Sequence, residues 1–187
     1  EVGINRKDIY LVTGFKSHLF EKYGCNTFNN INYKDTHQVF SFLCAQEVLN
    51  KYEDWIIVYG DVVFEKSLLI DLIGNNNEFV VPHYTNWKFL WEKRGDTDFK
   101  DVESFQFDND NKITELGVKN WKDTPMGQYM GIFSLKNKES TRLISYTNKI
   151  KSVQIYKLEM TELINKYRNQ NDIFTFPYSG NFFELDN

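Results

Sequence analysis

The stretch Asp54-Trp55-Ile56-Ile57-Val58-Tyr59-Gly60-Asp61-Val62-Val63-Phe64 constrains the chain most. Its apolar run, Trp55 to Tyr59, is rich in Ile and Val and shows no polar alternation. That is the pattern of a strand covered on both faces, and so of a parallel sheet. Gly60 follows at once and permits a sharp turn or a close backbone approach to a ligand. Asp61 is left beyond the carboxyl end of the strand, where open α/β sheets bind their ligands. A carboxylate there suits Mg²⁺, a hard cation that takes oxygen ligands and is often shared with substrate phosphates. Capping of a helix that begins near Glu65 is the other use open to Asp61.

The segments around this strand alternate. Ile9 to Gly14 reads as a buried strand, and Phe15, Leu19, Phe20 and Tyr23 have the spacing of a helix that Gly24 closes. A second strand covers 25–31. Thr36 is placed to cap a helix through Val39, Phe40, Phe42, Leu43, Val48 and Leu49. A helix over 66–73 and a strand over 78–84 follow. The order β-α-β-α-β-α-β predicts a mainly parallel sheet with helices on both faces.

Beyond residue 85 the pattern changes. Trp87 to Arg94 mixes aromatic and charged residues. Segments 104–107 and 112–116 flank Asp108-Asn109-Asp110-Asn111 and predict a β-hairpin. A strand over 129–135, helices over 138–150 and 155–169, and a late strand over 173–178 complete the reading. No repeat, low-complexity tract or linker interrupts the chain, so 1–187 reads as one domain with a distinct hairpin region over about 85–135.

The chain has 187 residues, enough for a sizeable core. A net charge of −4 with no basic block argues against nucleic acid as the main partner. It leaves room for a nucleotide whose phosphates a divalent cation neutralises. Cys25 and Cys44 lack the close spacing of a metal finger or redox motif. No apolar run is long enough to span a bilayer, so no membrane partner is expected. Glu1 to Asp8 is polar and does not resemble a signal peptide, which gives a cytoplasmic expectation.

Several stretches resemble, in order, pieces of the nucleotidyltransferases that join a nucleoside triphosphate to a sugar phosphate or alcohol phosphate. The likeness is closest to the bacterial choline-phosphate and phosphonate cytidylyltransferases. Asp8 to Lys16 resembles the family's second strand and turn. Asn32 to Phe42 resembles its Asn-x-x-x-x-Thr-Asn-Asn-x-x-Ser-Leu stretch, with His37 and Gln38 replacing the paired Asn. Gly60 to Phe64 resembles its Gly-Asp metal motif, and Asp101-Val102-Glu103-Ser104 with Lys112 to Gly117 its Asp-Ala-Glu-Ser hairpin. Gln128 to Ile132 resembles the strand beside its acceptor pocket, and Phe183-Glu184-Leu185-Asp186 its Trp-x-Glu-Ile-Asp ending.

The resemblance implies a Rossmann-like, GT-A-like fold. It also implies Mg²⁺-dependent transfer from CTP to a phosphocholine- or phosphonate-like acceptor, with release of pyrophosphate. The family's opening strand, Gly-rich triphosphate loop and Pro-Lys pair have no counterpart in the sequence given. The expectation is therefore a truncated form lacking the first strand-loop-helix unit, its gap covered by a partner chain, as in a homo-oligomer, or by a rearranged sheet. A sugar-1-phosphate nucleotidyltransferase using another triphosphate, and an inactive module on the same scaffold, stand as alternatives.

By the same resemblance Asp61 and Asp186 are the catalytic, metal-holding pair, with Glu184 in support. In an extended segment Glu184 and Asp186 share a face; apart from the resemblance, a frayed, solvated terminus is the commoner reading of two such residues. Trp87, Trp91, Tyr129 and Phe183 are candidates for an aromatic pocket that holds a quaternary ammonium by cation–π attraction. Asp101 and Glu103 would add opposing charge, and Arg94 and Lys88 would reach a phosphate. Trp87 and Trp91, four positions apart, also read as the buried face of a short helix.

Overall fold

The computed structural model describes residues 3–95, 99 and 102–185. Strand β1 (Tyr10–Thr13) pairs in parallel with β2 (Asn26–Asn29). Between them Ser17–Tyr23 forms a 3₁₀ helix rather than an α-helix and buries none of its residues. Its predicted apolar stripe, Leu19, Phe20 and Tyr23, is exposed.

Helices α1 (Gln38–Cys44) and α2 (Gln46–Leu49) replace the single helix expected there, with the break at Ala45. The cap position belongs to His37, not Thr36. The Thr36 hydroxyl instead donates to the Asn32 carbonyl, which ties off the preceding turn.

Strand β3 (Trp55–Val58) is followed by β4 (Val62–Phe64), α3 (Lys66–Gly74), β5 (Phe79–Val80) and β6 (His83–Tyr84). One continuous strand was expected over 78–84. Pro82, which has no N–H for a ladder, separates two short ones. Helix α4 (Trp87–Lys93) leads toward the hairpin of β7 (Phe105–Phe107) and β8 (Ile113–Leu116), found where the sequence placed it. The Asp108 carboxylate accepts from the N–H groups of Asp110 and Lys112, and so builds the turn.

Strands β9 (Gln128–Tyr129) and β10 (Ile132–Leu135), helices α5 (Glu139–Thr147), α6 (Ser152–Ile155) and α7 (Met160–Tyr167), and strands β11 (Pro177–Tyr178) and β12 (Phe182–Glu184) complete the order.

The sheet departs from the mainly parallel expectation. Among the described residues, β1–β2 and β6–β11 are parallel, whereas β10 pairs antiparallel with both β3 and β5, β12 with β4, β9 with β6, and β7 with β8. Strand β10 runs back between β3 and β5, and β12 returns along β4. Neither direction can be read from βα alternation.

Helices do cover both faces. Phe79, Phe133 and Leu135 pack with α1, α2, α5 and α7, whereas Val80 and Ile132 pack with α3 and α4. The split follows the period-two alternation of strand side chains. Strand β3 is less covered than its sequence implied: Trp55, Ile56 and Ile57 are half-buried and Val58 is 42% exposed. Among the described residues it is paired on one edge only, by β10.

Two local features carry predictions. His83 is buried, with its ring 5.4 and 4.7 Å from Phe105 and Phe107 and its Nδ1 2.7 Å from Thr175 Oγ1. Burial lowers its pKa from 6.5 to about 4. The unfolded chain therefore binds a proton that the folded chain refuses. The stabilisation is whole above pH 6.5 and lost as the pH falls toward 4; its size is about 3 kcal/mol. Urea unfolding across this window should show a larger loss of stability in the wild type than in His83→Gln. Equal losses would remove His83 as the cause.

Gly131 has φ +66°, and a Cβ there would lie 3.0 Å from the Tyr59 ring. Gly131→Ala should cost about 1–3 kcal/mol through left-handed backbone strain and crowding, read as a lowered melting temperature. An unchanged melting temperature would contradict this.

Candidate active site

The carboxyl end of β3 opens into a turn. Tyr59 is held there by its N–H to the Gly131 carbonyl at 2.8 Å, and Gly60 and Asp61 then lead into β4. Strand β12 returns alongside, with Glu184 opposite Val62. The Leu185 N–H donates to the Asp61 carbonyl at 2.7 Å. The end of the described chain and the Gly60–Asp61 turn are therefore joined by backbone. Asp61 is exposed and stands ahead of β4, and α3 takes Glu65 as its N-cap residue with no side-chain cap. The capping alternative for Asp61 is thereby removed.

Beside this turn lies a cleft of about 270 Å³ lined by Tyr59, Glu103, Lys119, Tyr129, Glu159 and Glu184, among others. The base of the β7–β8 hairpin supplies two of these residues. Ser104 N–H donates to the Val118 carbonyl, Gly117 N–H to the Ser104 carbonyl, and Val118 N–H to Ser104 Oγ, each at 3.0 Å. These bonds set Glu103 and Lys119 at the same end of the hairpin. Gly117, at φ +75°, leaves no room for a Cβ against Thr161, so the hairpin closes onto the first turn of α7. Glu159 is the N-cap residue of that helix, and its carboxylate lies 3.7 Å from His37 Nδ1 at the start of α1.

Burial raises the Glu103 carboxyl above its ordinary range, and the nearby Glu159 adds to this. A hydrogen bond to Thr161 and the charge of Lys119 work in the opposite direction. Burial also pushes the Tyr59 and Tyr129 hydroxyls up, and the charges of Glu103, Asp61 and Glu159 further raise Tyr59. The two rings meet edge-on at 5.8 Å. The hydroxyls approach each other outside hydrogen-bond geometry, and the buried Tyr129 Oη has no hydrogen-bond partner.

Of the residues picked from sequence, Glu103, Tyr129 and Glu184 converge on the cleft. Asp61 does not line it but is close enough for its charge to act on Tyr59, which does. Asp101 and Asp186 lie outside the described residues.

The expected aromatic pocket does not form among the described residues. Trp87 is 2% exposed and packs on Phe99 with ring centroids 5.4 Å apart, so the buried-helix-face reading holds for it. Trp91 donates its indole N–H to Gln128 Oε1 at 3.0 Å and carries the Arg94 guanidinium over its ring at 5.4 Å. Phe183 is 53% exposed and pairs across the β4–β12 ribbon with Val63. Arg94 donates Nη2 to the Glu184 carbonyl at 3.0 Å, and its Nη1 lies 3.8 Å from the Glu184 carboxylate. It thus anchors a residue of the cleft.

Lys119 and Glu159 escaped the sequence reading. Lys119 follows the hairpin as directly as Glu103 precedes it, a symmetry that could have flagged it. Glu159 offers no local signal. Asn30 was missed as well: it is buried, and its side-chain amide donates to Thr36 Oγ1 and Ser41 Oγ, organising the Asn32–Phe42 stretch.

The fit to Mg²⁺ rests on hard oxygen donors. Asp61, just ahead of β4, and Glu184 of β12 are brought near one another along the backbone by the β4–β12 pairing and the Leu185–Asp61 bond. Among the described residues no three His, Cys, Asp or Glu side chains converge to form a metal cage. Mg²⁺ commonly needs no such cage, taking one or two carboxylates and filling the rest of its shell with water and phosphate, so the donors present fit it.

A larger cavity, about 640 Å³, lies elsewhere, around Asn76, Arg142, Arg168 and Phe174. It sits by the start of β5, level through β10 with the start of β3, and so away from Asp61. Its charges already serve packing: buried Glu139 pairs with Arg142 and accepts the Tyr167 hydroxyl at 2.6 Å. No helix among the described residues is long and apolar enough to cross a membrane.

No protein-family model matches the chain. The CTP:phosphoglutamine cytidylyltransferase of Campylobacter jejuni is 28% identical over 205 residues, covering 98% of this chain and 78% of that protein. The choline-phosphate cytidylyltransferase of Haemophilus influenzae is 24% identical over 190 residues, covering 98% and 74%. In fold, the inositol-1-phosphate CTP transferase of T. maritima superposes with a TM-score of 0.71 at 13% identity, over 95% of this chain and 69% of its own. The CTP:phosphocholine cytidylyltransferase of Streptococcus pneumoniae gives 0.67 at 16%, over 95% and 72%. With the ordered motifs and the mixed α/β fold, these likenesses make the chain similar in sequence and fold to the nucleotidyltransferases that include the choline-phosphate cytidylyltransferases.

Proposed function

We propose that this chain transfers a cytidylyl group from CTP to a small acceptor that bears a phosphate or phosphonate. An acceptor oxygen attacks the α-phosphorus, the bond from that phosphorus to the bridging oxygen breaks, and pyrophosphate leaves. The supporting observation is the joining of the Gly60–Asp61 turn to β12 beside a cleft that holds a lysine and three glutamates. Such transfers depend on positioning and charge neutralisation more than on covalent chemistry.

Asp61, with Asp186 by resemblance and Glu184 in support, would hold Mg²⁺, which neutralises charge on the reacting phosphates when bound. Lys119 would face the acceptor phosphate, its charge offsetting that of the neighbouring carboxylates. Arg94 holds Glu184 and so acts by positioning. Tyr59 and Tyr129 exclude water from the inner wall.

The expected result is CTP-, Mg²⁺- and acceptor-dependent release of pyrophosphate. Asp61→Ala and Lys119→Ala should each lower it roughly 10²–10³-fold, the scale for losing one preorganised charge at a reacting centre. Preference for UTP, GTP or dTTP with a sugar-1-phosphate would replace this reading with sugar-nucleotide synthesis. CTP binding without release would favour an inactive module.

A further inference from the structure

We propose that the cleft selects an acceptor whose end remote from the phosphate carries N–H donors, as a primary ammonium or an amide does, and discriminates against a quaternary ammonium. This deepens, and rests on, the transfer reading above. Quaternary ammonium groups are held by open aromatic faces; among the described residues Trp87, Trp91 and Tyr129 are otherwise engaged, and the exposed Phe183 alternates with the cleft-lining Glu184 along β12. Trp87 is sealed in the core, Trp91 lies under the Arg94 guanidinium, and Phe183 sits across the ribbon from Val63. Tyr129 stands edge-on to Tyr59.

What lines the cleft instead is hydrogen-bonding surface. Glu103, Glu159 and Glu184 are acceptors wherever they are ionised, Gln38 and Thr161 add oxygens, and Lys119 is the cation in the lining. Glu103 and Glu159 repel one another, and Tyr129 Oη is buried with no partner. A cation between the two carboxylates relieves the repulsion, and one with N–H groups adds directed, charge-assisted bonds. An ammonium whose nitrogen carries only methyl groups gives the first gain without the second. A divalent metal suits the spot less well, since among the described residues no group of three His, Cys, Asp or Glu side chains could hold one.

The test is calorimetric titration of the chain with phosphoethanolamine and, separately, phosphocholine, each with and without CTP and Mg²⁺. The expected result is about tenfold or more tighter binding of phosphoethanolamine, the scale of a hydrogen bond to a charged group. Glu103→Gln and Glu159→Gln should each narrow that gap, with circular dichroism reporting the fold. Equal affinities, tighter phosphocholine, no measurable phosphoethanolamine binding, or a gap that both variants leave unchanged would overturn the proposal. Discrimination in a chain that fails to bind CTP would support the selectivity and overturn the transfer reading. CTP binding without discrimination would do the reverse.

Discussion

The antiparallel pairing of β12 with β4 is the contact on which the candidate site depends. Its ladder, Phe182 to Phe64, Phe183 to Val63 and Glu184 to Val62, ends in the bond from Leu185 N–H to the Asp61 carbonyl. Two segments from distant parts of the sequence are thus held by backbone bonds, which no side-chain substitution removes directly. Phe182, 1% exposed, anchors the ladder in the core, so the partly exposed Glu184 stands on a strand whose neighbour is immobilised. Arg94 adds a second restraint on Glu184 from α4.

Around that ribbon the cleft assembles from element ends. The hairpin base, the N-cap and first turn of α7, the start of α1 and the Tyr59–Gly60 turn each give it one to three side chains. Burial there raises the Glu103 carboxyl, and the neighbouring Glu159 adds to it. Such perturbed groups in a cleft mark functional sites more often than structural ones. By contrast, the carboxylates around Arg142 are partnered within the protein, which suits a role in packing.

Elements specified by local chemistry were legible in the sequence. The hairpin was announced by its Asp-Asn-Asp-Asn turn, α3 by its spacing and Gly74, and the Gly60–Asp61 turn by the end of an apolar run. Features that depend on distant partners were not. The return of β10 between β3 and β5 reverses the sheet direction inferred from alternation. Leu19 and Phe20 have helical spacing, yet nothing among the described residues covers them. Trp87 and Trp91 resembled pocket residues because an aromatic face looks alike in sequence whether it meets a ligand, a Phe or an Arg. Lys119 and Glu159 carry no pattern of their own; they become visible only once Ser104 stitches the hairpin and Gly117 packs on Thr161.

On the proposed reading, a divalent ion and nucleotide phosphates gather where β12 meets the Gly60–Asp61 turn. Paramagnetic broadening of backbone amide resonances by Mn²⁺ in the presence of CTP tests it most directly. The amides of Gly60, Asp61 and Leu185 should broaden first, while those of Asn76, Asn77 and Asn171 around the larger cavity stay sharp. Broadening centred on the latter group, or unchanged Asp61 and Leu185 signals at saturating Mn²⁺ and CTP, would contradict it.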